Sequence, residues 1–103
     1  MDNDDEFLRE LVETFLEDSP GQLAELRAAA DAGDAGAVRR VAHTLKSNGA
    51  TFGVVRLEQV CRELELRASG GDLEGANELI GEIDEALVEA RPELQALSAD
   101  GAS

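Results

Sequence analysis

The chain has no Trp and no Tyr, and only three Phe among 103 residues, so large aromatic rings cannot supply the bulk of a core. Leu and Ala supply most of the 43% hydrophobic content, a composition that favours helices packed through aliphatic faces. A single Cys excludes an internal disulfide, and one His with one distant Cys does not make a tetrahedral zinc set, so no metal is expected. No apolar run approaches the roughly 20 residues that a bilayer crossing needs. The first twenty residues are acidic and lack the basic start and apolar run of a signal peptide, which predicts a cytoplasmic protein. Basic residues are also scarce. Nine Lys and Arg face 23 Asp and Glu, a formal net charge of −14, which argues against nucleic acid or an anionic membrane as the main partner. At roughly 100–150 residues per domain, the length allows one compact domain over residues 1–103. It leaves no room for a nucleotide-binding unit beside a catalytic one, so no ATP-dependent kinase activity is expected.

What is present is helical periodicity almost throughout, with no long alternating strand pattern. Phe7, Leu8, Leu11, Val12, Phe15 and Leu16 form a first stripe behind an acidic first turn. Ser19-Pro20-Gly21-Gln22 then predicts a restart, with Ser19 as N-cap, Pro20 at the first helical position and Gln22 closing a capping box. Leu23, Leu26 and Ala30 carry the second stripe to Gly33. Asp34 predicts the cap of a third helix along Val38, Val41, Ala42 and Leu45, ending near Asn48-Gly49. A fourth follows Val54, Leu57, Cys61, Leu64 and Ala68 as far as Gly70-Gly71. Asp72 predicts the cap of a fifth, with Leu73, Ala76, Leu79, Ile80, Ile83 and Leu87 inward, Pro92 kinking or ending it, Leu94 and Leu97 beyond, and a frayed tail over 98–103. Short connections between amphipathic helices predict an all-α fold. The expected architecture is an antiparallel up-and-down four-helix bundle with an additional short N-terminal helix.

One segment departs from this acidic background. Residues 35–57 contain no Asp or Glu but hold Arg39, Arg40, Lys46 and Arg56, a local charge of +4 against −18 for the rest. The only His and the only Lys of the chain lie there. On a helical wheel His43 falls about 150° from the centre of the inward cluster, so it is expected to face solvent. Arg39 and Lys46 stand four residues before and three after it, spacings that bring helical side chains together, and Gly36, Ser47 and Ala50 flank it with little bulk. Neutral imidazole is a good nucleophile near neutral pH, and cations beside it disfavour protonation. The same cations would offset an attached phosphoryl group. An exposed convex helix has no pocket to exclude water, so transfer of an anionic group between proteins suits it better than hydrolysis. A Ser-His-Asp arrangement needs an orienting acid that the segment around His43 does not offer. Cys61 lies on an apolar stripe and is expected in the core.

The string Ala42-His-Thr-Leu-Lys-Ser-Asn-Gly-Ala-Thr-Phe-Gly53 resembles the histidine-containing phosphotransfer (HPt) domain of two-component phosphorelays. The family pattern of His, any residue, Leu, Lys and a small residue, then Gly ten positions after the His, falls on His43, Leu45, Lys46, Ser47 and Gly53. Likeness extends to the acidic amphipathic start, the Ser-Pro-Gly-Gln segment and the run from Val54 to Glu65. Many members have Gly where this chain has Ser47. The resemblance implies phosphorylation of His43 at its outer imidazole nitrogen, Lys46 and Ser47 as phosphate-stabilising residues, and a response-regulator receiver domain as partner. A hybrid histidine kinase is a further possible partner. Arg39, Arg40, Ala50, Phe52, Gly53 and Arg56 are the expected docking residues, joined by apolar residues near the chain's start and around Val55. No cofactor is expected in this chain, magnesium belonging to the receiver, and a monomer is expected. One alternative shares the same surface, a module that docks a receiver or kinase without accepting phosphate; a third reading is a plain structural bundle.

Overall fold

A computed structural model describes the backbone of residues 2–102 and the side chains of residues 6–97. Four helices, α1 (Asp2–Asp31), α2 (Ala35–Thr51), α3 (Val55–Ser69) and α4 (Ala76–Ala102), make up the fold, with no strand among the described residues. Each helix packs on two others: α1 on α2 and α4, and α3 on α2 and α4. Most of the predicted stripe residues close a single core in which Val12, Leu26, Val38, Ala42, Leu45, Leu57, Cys61, Leu64 and Ile83 are fully buried, whereas Phe7, Leu8, Leu11 and Leu97 of those stripes are exposed. None of the helices is long and apolar enough to cross a membrane, as far as the described residues go.

The additional N-terminal helix does not form, because α1 runs unbroken across Pro20. Ser19, expected as a cap, is 1% exposed inside that helix. A proline in a helix interior donates nothing to the carbonyl four residues earlier, here that of Leu16. Arg91 of α4 reaches this oxygen with Nη2 at 3.5 Å, a long bond that gives the freed acceptor a partner. α4 passes Pro92 in the same unbroken way and stays helical to Ala102, through the tail expected to fray. The side chains of 98–103 lie outside the described residues.

Helix starts and stops match the sequence unevenly. Asp34 caps α2 as expected, its Oδ1 accepting from the Ala37 N–H at 3.1 Å. Asp72 instead accepts from the Glu74 N–H at 3.0 Å in a local turn, and α4 begins only at Ala76. α2 does not end at Asn48-Gly49. It continues to Thr51, and the left-handed residue is Gly53 at φ +70°, where the Val54 N–H returns to the Gly49 carbonyl at 2.8 Å. Gly49 is buried for a different reason: a Cβ there would stand 2.9 Å from the Glu58 backbone nitrogen, so α3 passes against bare α2 backbone. Phe15 and Phe52 stack with ring centroids 5.2 Å apart, fastening the α2–α3 turn to α1.

At 1.5 Å per residue the 30 and 27 residues of α1 and α4 reach about 45 and 40 Å, against about 25 and 22 Å for α2 and α3. The longest dimension of the molecule, 46 Å, is therefore set by α1 and α4. Phe7 and Leu97, 62% and 49% exposed, lie toward the start of α1 and the end of α4.

Candidate functional site

With Val38, Val41, Ala42 and Leu45 of α2 turned into the core, His43 is left on the outer face, its side chain 60% exposed. It is not surrounded by bare cations. Its Nδ1 lies 2.8 Å from Oε2 of Glu65 on α3, and the other oxygen of that carboxylate lies 2.7 Å from Nζ of Lys46. One carboxylate thus joins the imidazole and the lysine that the motif spaces three residues apart. The electrostatic picture drawn from the sequence changes accordingly: the positive charge of Lys46 is matched, and the acid absent from residues 35–57 comes from a neighbouring helix.

Glu65 reaches this position because it borders the buried stripe of α3, one residue after Leu64 and four after Cys61, both fully buried. Its pKa is held below the ordinary value of 4.5, chiefly by the hydrogen bond from Lys46, with His43 adding to the effect and burial opposing it. An ionised carboxylate can only accept, so Nδ1 of His43 must carry the proton in this bond. In the neutral ring, the lone pair then sits on Nε2. Sequence reasoning missed Glu65. The available signal was its place at the edge of the α3 stripe, two residues after the outward-facing Glu63.

The expected site residues divide into groups. Gly36, Arg39, Arg40, His43, Thr44 and Glu65 line a shallow recess of about 390 Å³ around the imidazole. Arg40 reaches Glu25 of α1 at 3.6 Å, an exposed pair. Ser47 and Ala50 are exposed further along α2. Phe52 is half-buried against Phe15, and Gly53 forms the turn that follows. Arg56 is turned toward α4, where it binds Glu89 at 3.0 Å and Glu85 at 3.8 Å, so it is not brought to His43. Between α1 and α2 runs a second groove lined by Leu11, Phe15, Gln22, Thr44 and Phe52, in which Gln22 Oε1 is buried without a partner. Cys61 is buried as expected, its thiol pushed up to about 12 by desolvation and, secondarily, by the Glu65 carboxylate.

An exposed imidazole oriented by a carboxylate is chemically suited to carry a group on histidine while a second protein supplies the rest of the chemistry. The family described as Hpt domain matches residues 10–99, nearly the whole chain, and the protein belongs to that family of histidine phosphotransfer intermediates in phosphorelays. Among solved structures it is similar to histidine-containing phosphotransfer protein B (HptB) from Pseudomonas aeruginosa PAO1. The two are 35% identical with a TM-score of 0.84, over 89% of this chain and 80% of that one. No curated protein matches the chain. Hpt domains interact with response-regulator receiver domains and kinases.

Proposed function

We propose that His43 accepts a phosphoryl group from the aspartyl phosphate of a receiver domain and passes it to another receiver. The observation that carries this is the pairing of an exposed imidazole with a carboxylate on Nδ1, which leaves Nε2 as the nucleophile. In the forward step Nε2 attacks phosphorus in line, the Nε2–P bond forms, the P–O bond to the receiver's aspartate breaks, and that carboxylate leaves with the electron pair. The ring becomes an imidazolium that keeps its proton on Nδ1, and Glu65 offsets the new positive charge. No proton changes place. Return transfer regenerates a neutral ring in the same tautomer, which suits a carrier that must work in both directions.

Lys46 holds Glu65 in place, while Ser47 and Gly53 leave room for the receiver's loops. Arg39 and Arg40, with the small Ala50, form the docking surface on α2. The exposed apolar residues Phe7, Leu8, Leu11 and Val55, with half-buried Phe52, extend it. Short connections and neighbour packing support the antiparallel up-and-down arrangement of α1 to α4. The protein acts as a cytoplasmic monomer, adds no cofactor of its own and relies on the acidic, magnesium-containing pocket of the receiver.

Incubation with a phosphorylated receiver tests this. The chain is expected to acquire a label that is acid-labile and alkali-stable, and His43→Gln to acquire none. A label of that kind on the His43→Gln variant overturns the assignment.

A further inference from the structure

Cations near His43 are unequally committed. Lys46 is bound to Glu65 and Arg40 to Glu25. Arg27, Arg56, Arg62 and Arg67 are in ion pairs, Arg91 donates to a carbonyl, and Arg9 is engaged. Among the described residues, Arg39 is the one Lys or Arg side chain with neither an ion pair nor a hydrogen bond. It is exposed, stands one helical turn before His43 on α2, and lines the same recess, where Gly36 presents no side chain to obstruct it.

We propose that Arg39 binds the phosphoryl group once it is on His43, and that it is held unpaired for that purpose. This rests on the assignment of His43 as the phosphoryl acceptor. Phosphorylation places close to two negative charges on Nε2, in a recess that already holds the Glu65 carboxylate. The charge of Lys46 is already matched by Glu65. Arg39 gives up nothing, and its planar fork of N–H donors matches two phosphoryl oxygens at once. The site therefore separates its duties: Lys46 and Glu65 orient the ring, and Arg39 meets the cargo.

The test uses the isolated protein, so that docking to a receiver does not enter. Phosphoramidate is the phosphodonor: Nε2 attacks its phosphorus, the P–N bond of the donor breaks, and ammonia leaves. The second ionisation of the resulting phosphohistidine is followed by ³¹P NMR as a function of pH in the wild type, Arg39→Gln and Arg39→Lys. Loss of a nearby opposite charge makes the phosphoryl dianion harder to form, so Arg39→Gln is expected to move this ionisation upward by about one pH unit. Arg39→Lys is expected to recover part of the shift. Circular dichroism melts of all three should coincide, since Arg39 is exposed and makes neither an ion pair nor a hydrogen bond. An Arg39→Gln titration identical to the wild type overturns this inference alone. Failure of the wild type to form phosphohistidine with either phosphoramidate or phosphorylated receivers overturns the functional assignment and this inference with it.

Discussion

Replacing Glu65 by Gln removes a charge from the site while keeping an oxygen that can accept from Nδ1 of His43. In the unphosphorylated protein the hydrogen bond to the ring can persist, because a neutral ring needs only an acceptor. In phosphohistidine the ring is an imidazolium, and the carboxylate 2.8 Å from Nδ1 becomes its counter-ion. Two unit charges about 4 Å apart attract by about 1 kcal/mol in water and about 4 kcal/mol at an effective dielectric constant of 20. With Glu65 17% exposed and His43 60% exposed, solvent screening keeps the value toward the lower end. A loss of about 1.5 kcal/mol lowers the equilibrium constant for transfer from receiver to His43 by roughly tenfold. Glu65→Ala loses the acceptor as well and frees the ring to rotate, so its transfer rate should fall further than that of Glu65→Gln. Since either change also releases Lys46, the same pair is measured in a Lys46→Met background. The assay is the distribution of ³²P between receiver and this protein at equilibrium. If both Glu65 variants distribute phosphate as the wild type does, the carboxylate has no part in transfer and the proposed mechanism is wrong.

Three further outcomes follow from the packing. Gly49→Ala places a Cβ 2.9 Å from the Glu58 backbone nitrogen and 3.3 Å from Leu57 Cγ, so α3 must shift. A cost of about 1–3 kcal/mol is expected, read as a fall in Tm of about 4–8 °C per kcal/mol, and an unchanged Tm would refute the close approach. Because the folded-state pKa of Glu65 is depressed, its contribution to stability is complete above 4.5 and disappears as pH falls through the lower folded value. The Tm difference between wild type and Glu65→Gln should therefore close as pH falls below 4.5; a difference that persists in acid contradicts the Lys46–Glu65 pairing. Cys61, buried and with its thiol pushed up to about 12, should react with a thiol reagent at pH 8 only as fast as the protein opens. Rapid labelling of folded protein would contradict its core position.

Local signals carried the fold where they were self-contained. Asp34 caps α2 through a side chain that reaches three residues on, and the stripe from Leu57 to Ala68 needed only its own period to define α3. The outward placement of His43 was legible for the same reason, since it depends on the wheel of one helix. What was not legible depends on two helices at once. Pro20 reads as a boundary until Arg91, 71 positions later in the sequence, supplies a donor for the Leu16 carbonyl. Gly49 reads as a terminator until the backbone of α3 is seen against it. Glu65 and Arg56 carry no label saying which neighbour each will face, and that orientation decides which of them joins His43. The difference between Arg39, Arg40 and Lys46 is of this kind too. By charge and spacing alone they are three equal cations, and their partners on α1 and α3 are what distinguish their commitments.

His43 is the only histidine in the chain, so nitrogen NMR of a ¹⁵N-labelled sample reports on a single imidazole. The most direct measurement is its long-range ¹H–¹⁵N spectrum before and after reaction with a phosphorylated receiver. The neutral ring is predicted to carry its proton on Nδ1, and the phosphorylated ring to show ³¹P coupling at Nε2 with the Nδ1 proton retained. Phosphorus on Nδ1, or on any residue other than His43, would contradict the account at its centre.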